Sequence, residues 1–180
     1  VKSDLILGLP RETKASYGEA LEFMCEKMRH GTHFFSLALL RVLPGSDLEA
    51  IAKRERLTMD ERDGEHFVYE TPTLPRADMI ECLKWNTAAF RCLSSVHQAS
   101  EKRVRDLYFR TRDELGWTHV GMLRHLAGEF TRFLEDRDVN YVKPDFPDAE
   151  YYSCKNIQQD VSDDWLIERF ESLLRTGGRK

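Results

Sequence analysis

The strongest constraint on this chain is a short apolar run near its start, Asp4-Leu5-Ile6-Leu7-Gly8-Leu9-Pro10, which has no polar alternation and stops at a glycine and a proline. A strand with apolar side chains on both sides needs cover on both sides, the condition of a parallel strand inside an α/β layer. A second run of the same kind, residues 34–43, stops as abruptly at Pro44-Gly45. Between the two, Ser16 stands three residues ahead of Glu19 in a capping-box pattern, and Tyr17, Leu21, Met24 and Met28 recur at helical spacing. This predicts a helix over 16–30, ended by Gly31. A short helix over 47–56 follows the second strand. Strand, helix, strand, helix with tight turns is the βαβ pattern of a parallel sheet or barrel.

A third, weaker strand is expected over 66–71, and from Arg76 the pattern turns helical. Ile80, Leu83, Thr87, Phe90 and Leu93 mark one helix; Val104, Leu107 and Tyr108 mark a second, closed by Gly116. Val120, Leu123, Leu126, Phe130 and Phe133 mark a third, with Thr118 as its N-cap. Residues 140–159 carry Pro144 and Pro147 and read as loop. A last helix starts at Ser162, with Asp163 and Asp164 at its positive end and Trp165, Leu166, Phe170, Leu173 and Leu174 on its buried face. The expected fold class is therefore α/β: the C-terminal portion of a partial TIM-type βα barrel over residues 1–75, then an all-helical tail over 76–180. A closed barrel takes about 250 residues, and only two βα units are visible. The outer edge of the first strand must then pair with something. The expectation is a cut through a larger protein, whose remainder is the chain's first partner.

Composition narrows the function classes. The 180 residues carry a formal charge of −4, with 41% hydrophobic and 32% charged residues, and the pI is near 5.9. Short basic clusters such as Lys53-Arg54-Glu55-Arg56 are diluted by acids, so nucleic acid is not an expected partner. No apolar run is long enough to cross a bilayer and no signal peptide is visible, so a membrane is not an expected partner either. Cys25, Cys82, Cys92 and Cys154 have no CxxC or CxxxC spacing, which offers neither a zinc knuckle nor an iron–sulfur cradle and suits a reducing, cytoplasmic location. His119 and His125 are six apart and do not share a helix face at metal-site spacing; His30 and His33 straddle an element boundary. Ser46 and Ser94-Ser95 lack the Gly-x-Ser-x-Gly frame of a hydrolase. Glu70 beside Tyr69 reads as a hydrogen-bonded structural carboxylate, and Trp85, Trp117 and Trp165 fall on apolar stripes typical of a core. No residue in this set presents itself as catalytic.

The most informative stretch remains the first strand and its turn. Gly8 has no Cβ, and a Gly-Leu-Pro turn at the C-terminal mouth of a parallel sheet is where ligands bind in βα folds. The full segment Asp4-Leu5-Ile6-Leu7-Gly8-Leu9-Pro10-Arg11-Glu12-Thr13 resembles the fifth-strand motif of radical S-adenosylmethionine (SAM) enzymes, D-[LI]-I-x-G-L-P-G-E-T. The second run, ending in Leu43-Pro44-Gly45-Ser46-Asp47-Leu48, resembles the sixth strand and its turn, L-P-G-T-x-L. Tyr69-Glu70-Thr71-Pro72-Thr73-Leu74 with Asp78 is similar to the segment after the barrel in the cobalamin-associated branch. The resemblance covers residues 1–85 and departs at Arg11, where the motif has glycine.

That resemblance implies that Ile6, Leu7, Gly8, Leu9 and Pro10, with Leu43 and Pro44 from the second turn, border a SAM pocket by shape and backbone contacts. A full-length parent would reductively cleave SAM at a 4Fe-4S cluster to make a radical, with cobalamin as a further cofactor in the cobalamin branch and a small molecule or another, undefined substrate as its target. The CxxxCxxC motif is absent, so these residues alone would hold no cofactor and perform no radical chemistry; catalytic residues are not assignable and no metal ligands are expected. Two rival readings stand beside it. One is a non-catalytic α/β-helical module whose tail binds a partner protein through an exposed apolar stripe beyond Arg76. The other is a different βα-barrel enzyme that holds a phosphate at the Gly-Leu-Pro turn.

Overall fold

A computed structural model describes residues 2–29, 34–62, 64–93, 99–135 and 161–178. The order is β1 (Lys2–Leu7), α1 (Lys14–Met28), β2 (Phe34–Leu39), β3 (Arg41–Val42), α2 (Asp47–Arg54), β4 (Thr58–Arg62), β5 (Glu65–Glu70), α3 (Arg76–Leu93), α4 (Ala99–Leu115), α5 (His119–Glu135) and α6 (Asp163–Thr176). The expected 140–159 loop, His30, Gly31, His33, Ser94, Ser95 and Cys154 lie outside the described residues.

The two apolar runs do pair in parallel, Leu5 opposite Leu37 and Leu7 opposite Leu39. The second run then changes partner. The Leu40 N–H donates to the Leu7 carbonyl at 2.8 Å, while the Leu40 carbonyl accepts from the Val68 N–H at 3.0 Å. Beyond that joint, β3 runs antiparallel to β5, and β5 antiparallel to β4, with Arg41 opposite Phe67 and Met59 opposite Val68. The charged segment Thr58–Arg62 has almost no apolar content, so β4 carried no strand signal; its hairpin partner holds it in place.

This topology overturns the barrel. A βα barrel repeats parallel strands around a closed ring, whereas the described strands form one parallel pair and one antiparallel three-stranded sheet in the order β3-β5-β4. The third strand enters by a hairpin rather than a helical crossover, and a hairpin reverses direction. The described sheets are small and open, and helices make up most of the described residues. The radical SAM assignment loses its scaffold with the barrel.

The helices form as their local chemistry dictates. Thr13 caps α1: its hydroxyl accepts from the Ser16 N–H at 3.1 Å and the Ser16 hydroxyl accepts from the Thr13 N–H at 3.0 Å. Ser16 is thus the third residue of the capping box rather than its first, and the helix begins at Lys14. Thr118, the expected N-cap, caps α5 through the Gly121 N–H at 3.0 Å, and Ser162, where the last helix was expected to start, caps α6 through the Trp165 N–H at 3.2 Å. Gly177, at φ +60°, closes α6. The core is continuous from Leu7 and Tyr17 through Trp85 and Tyr108 to Phe130 and Phe170, all buried. Two polar ties lock it. The Tyr17 hydroxyl donates to Asn86 Oδ1 at 2.7 Å between α1 and α3. The buried Arg91 donates to the Val161 carbonyl at 2.8 Å and to Asp163 at 2.6 Å, fixing α6 against α3.

Candidate functional site

The first candidate is the turn after β1. Gly8 sits at φ +96°, a conformation that excludes side chains, and a Cβ there would come within 3.4 Å of Met79 Cε and Val68 Cγ1. In the Cβ direction Gly8 therefore meets the protein's own α3 and β5 at van der Waals distance. The Gly8 N–H donates to Glu12 Oε2 at 2.8 Å, so the turn closes on its own carboxylate. Burial pushes the Glu12 carboxyl above its usual range, against the opposing pull of the Gly8 and Leu9 N–H groups. The Glu12 carbonyl accepts from the Thr73 hydroxyl at 2.6 Å, which ties the turn to the start of α3. Arg11, in the place of a motif glycine, does adopt a positive φ of 66°. Its guanidinium is held by Glu55 at 3.1 and 3.2 Å.

The remaining residues of the sequence-derived set separate by exposure. Leu7 is fully buried, Gly8 is buried and Pro10 is half-buried in the turn. Ile6 is 37% exposed, Leu9 42% and Leu43 54%, with Pro44 exposed beside it. The register places Asp4 opposite Ser36 and Ile6 opposite Ala38, so these four share one face of the parallel pair. Asp4 accepts from the Ser36 hydroxyl at 2.5 Å on that face.

The second candidate, which sequence spacing could not reveal, gathers around His119. Its ring is buried against Tyr108 and Phe109. Arg112 Nη1 lies 2.7 Å from His119 Nε2 and 2.9 Å from Glu26 Oε2, and the Tyr108 hydroxyl lies 3.0 Å from Nδ1. The same Nε2 also lies 3.0 Å from Glu26 Oε2, so it faces an arginine that only donates and a carboxylate that only accepts. Burial holds the His119 pKa below its ordinary value. Glu26 is held down to about 2, chiefly by Arg29, and Asp113 to about 2 by the same guanidinium and by Arg112. Glu22 completes the junction by accepting from the His119 and Val120 N–H groups at 2.8 and 2.7 Å, an anion at the N-terminus of α5. The cluster holds α1, α4 and α5 together. With the ring sealed from solvent, no substrate atom can reach it, and its chemistry is structural.

Among the described residues there is no group of three or more His, Cys, Asp or Glu able to hold a metal ion. Cys25, Cys82 and Cys92 are buried separately on α1 and α3, and burial raises the Cys82 and Cys92 thiols to about 12, which leaves them inert as thiolates. This removes the ligand set that an iron–sulfur cluster needs, and the expected SAM, cluster and cobalamin chemistry falls with it. A shallow cleft of about 440 Å³ between α4 and α6 is lined by Lys102, Arg103, Asp106, Leu107, Arg110 and Glu171. Arg103 and Arg110 there are already ion-paired to Glu171 and Glu114. No described helix is long and apolar enough to cross a membrane. No known protein family, curated protein or solved structure matches the chain.

Proposed function

We propose that this chain is a non-catalytic α/β-helical interaction module that docks a partner protein through its strand end. The observation that carries this is the open face of the β1–β2 pair. Parallel strands are ordinarily covered on both faces, yet Leu7 is fully buried while its neighbour Ile6 is 37% exposed. Leu9 and Leu43, which follow β1 and β3, are exposed as well. Among the described residues, α3 to α6 carry no large exposed apolar side chain, while Phe23 on α1 is exposed like the three leucine and isoleucine positions. The apolar stripe expected beyond Arg76 is turned inward, and the docking surface moves to the other end of the molecule. Residues 1–75 then carry the contact, and residues 76–180 brace it.

Site-specific photo-crosslinking in cells tests this, with a photoreactive residue at Ile6, at Leu9, or at the exposed Asp106 on α4. A discrete adduct from Ile6 and Leu9 but not from Asp106 is the expected result. Adducts only from Asp106, or none from any position, would sink the reading.

A further inference from the structure

We infer that protonation of His119 exchanges the partner of its Nε2 from Arg112 to Glu26, which frees the C-terminal end of α4 from α5 while α5 stays tied to α1. Two groups of opposite demand meet at this nitrogen, Arg112 Nη1 at 2.7 Å and Glu26 Oε2 at 3.0 Å. A guanidinium only donates and a carboxylate only accepts, so no single protonation state of Nε2 serves both. The shorter contact sets the neutral tautomer. Two N–H groups do not face each other at 2.7 Å, whereas Glu26 Oε2 without the ring still accepts from Arg112 Nη1 at 2.9 Å. Nε2 therefore keeps its lone pair for Arg112, and Nδ1 donates to the Tyr108 hydroxyl 3.0 Å away. A charged ring carries N–H on both nitrogens. Nε2 then donates to Glu26, and Arg112 loses its acceptor on α5.

The groups bonded to Nε2 keep their own charges while the ring changes its charge. Glu26 and Asp113 are held to about 2 by the arginines beside them, so both stay anionic where a histidine titrates. Burial pushes up the Cys25 and Cys92 thiols and the Tyr108 phenol, which stay neutral. Glu22 is turned to the His119 and Val120 N–H groups instead of the ring. With Arg29 and Arg112, these are the titratable and charged groups that α1, α3 and α4 bring to the ring and its partners among the described residues. From α6 the apolar Phe170 packs on Tyr108. Arg112 has a second acceptor within reach: Asp113 already accepts from its Nε at 2.9 Å and from its Nη2. The Arg112 side chain is 18% exposed, so its release takes only a turn of one guanidinium. α5 keeps its hold on α1 through Glu22 and the new imidazolium–Glu26 pair, while α4 gives up its Arg112 link to α5.

The test is long-range proton–nitrogen NMR of the imidazole in the intact chain from about pH 8 to about pH 4, with amide exchange read alongside. At the upper end Nδ1 should carry the proton and Nε2 should not. On acidification both should carry one, with a midpoint below the ordinary value of about 6.5. The Arg112 guanidinium signal should move at the same midpoint. Amides of residues 112–115, corrected for the intrinsic pH dependence, should then exchange about tenfold or more faster relative to those of residues 120–123. Glu26→Gln should lower the midpoint and Arg112→Met should raise it, because the first removes the anion and the second the cation beside Nε2. Circular dichroism reports whether each variant folds; the titration of the unmodified chain decides the matter even if neither does. A proton on Nε2 at the upper end would overturn the exchange, because Glu26 would already own that nitrogen. So would a ring that titrates while Arg112 and α4 stay unchanged, or two variants whose midpoints shift the same way.

Discussion

At Gly8 two independent demands meet on one residue: φ is +96°, and a Cβ would touch Met79 and Val68 at 3.4 Å. Placing an L-residue in the left-handed region costs about 1–2 kcal/mol, while the 3.4 Å contacts are at ordinary van der Waals distance. Gly8→Ala should therefore destabilise the fold by about 1–2 kcal/mol, read as a lower urea midpoint with an unchanged slope. Gly128, in the middle of α5, is the matched control, since a Cβ there meets nothing within 4 Å and the site is exposed. Gly128→Ala should stabilise by up to about 1 kcal/mol, because alanine loses less backbone freedom in a helix. If both substitutions cost the same, the packing assigned to the β1 turn is wrong. The sequence made Gly8 conspicuous but could not say why, because its neighbours Met79 and Val68 lie 60 or more positions away.

Between elements, the junction of α1, α4 and α5 depends on one buried neutral imidazole. His119 is held neutral by burial, so the unfolded chain takes up a proton at a higher pH than the folded one. Stability from this group is full above its ordinary value of about 6.5 and is lost as pH falls through the lowered folded value. Glu26 and Asp113, held to about 2, add stability that is present above their ordinary carboxyl values and lost only toward strong acid. Between about pH 7 and pH 5 His119 makes stability fall as pH falls, while Glu12, raised by burial, acts with the opposite sign above the ordinary carboxyl range; His119→Gln should remove the His119 part of the slope. Urea midpoints across that range decide the point; an equal slope in both chains would show that His119 is not buried as described. Glu22 acts at the same junction from α1, and Glu22→Ala, which leaves two N–H groups at the start of α5 uncapped, should cost about 1–2 kcal/mol. The Thr118 cap and the helix start at Ser162 were legible in the sequence because capping is local, acting within three residues. The His119 cluster was not, since it joins Glu22 and Glu26 to residues more than 80 positions away, and no periodicity encodes such a pairing.

For the molecule as a whole, local patterns foretold the elements but not how the strands join. Two apolar runs pair in parallel as their composition implies, yet the direction of the third strand depends on the 58–62 hairpin arm, whose Asp60, Glu61 and Arg62 give no strand signal. One reversed strand is enough to turn a barrel edge into an open sheet. The consequence is an uneven distribution of stability. At the strand end Ile6, Leu9 and Leu43 are exposed. α3 instead lies at the centre, contacting α1, α4 and α5, with Met79, Cys82, Ala88 and Ala89 fully buried. Exchange protection follows buried contacts rather than secondary structure as such. Amides of β1 and β2 should accordingly exchange through local opening, about 10²-fold or more faster than those of α3, a gap of about 2.7 kcal/mol. Hydrogen-exchange mass spectrometry resolves both elements in one experiment. Protection of β1 equal to that of α3 would mean that the exposed apolar face is already covered, and the strand end would then have nothing left to offer a partner.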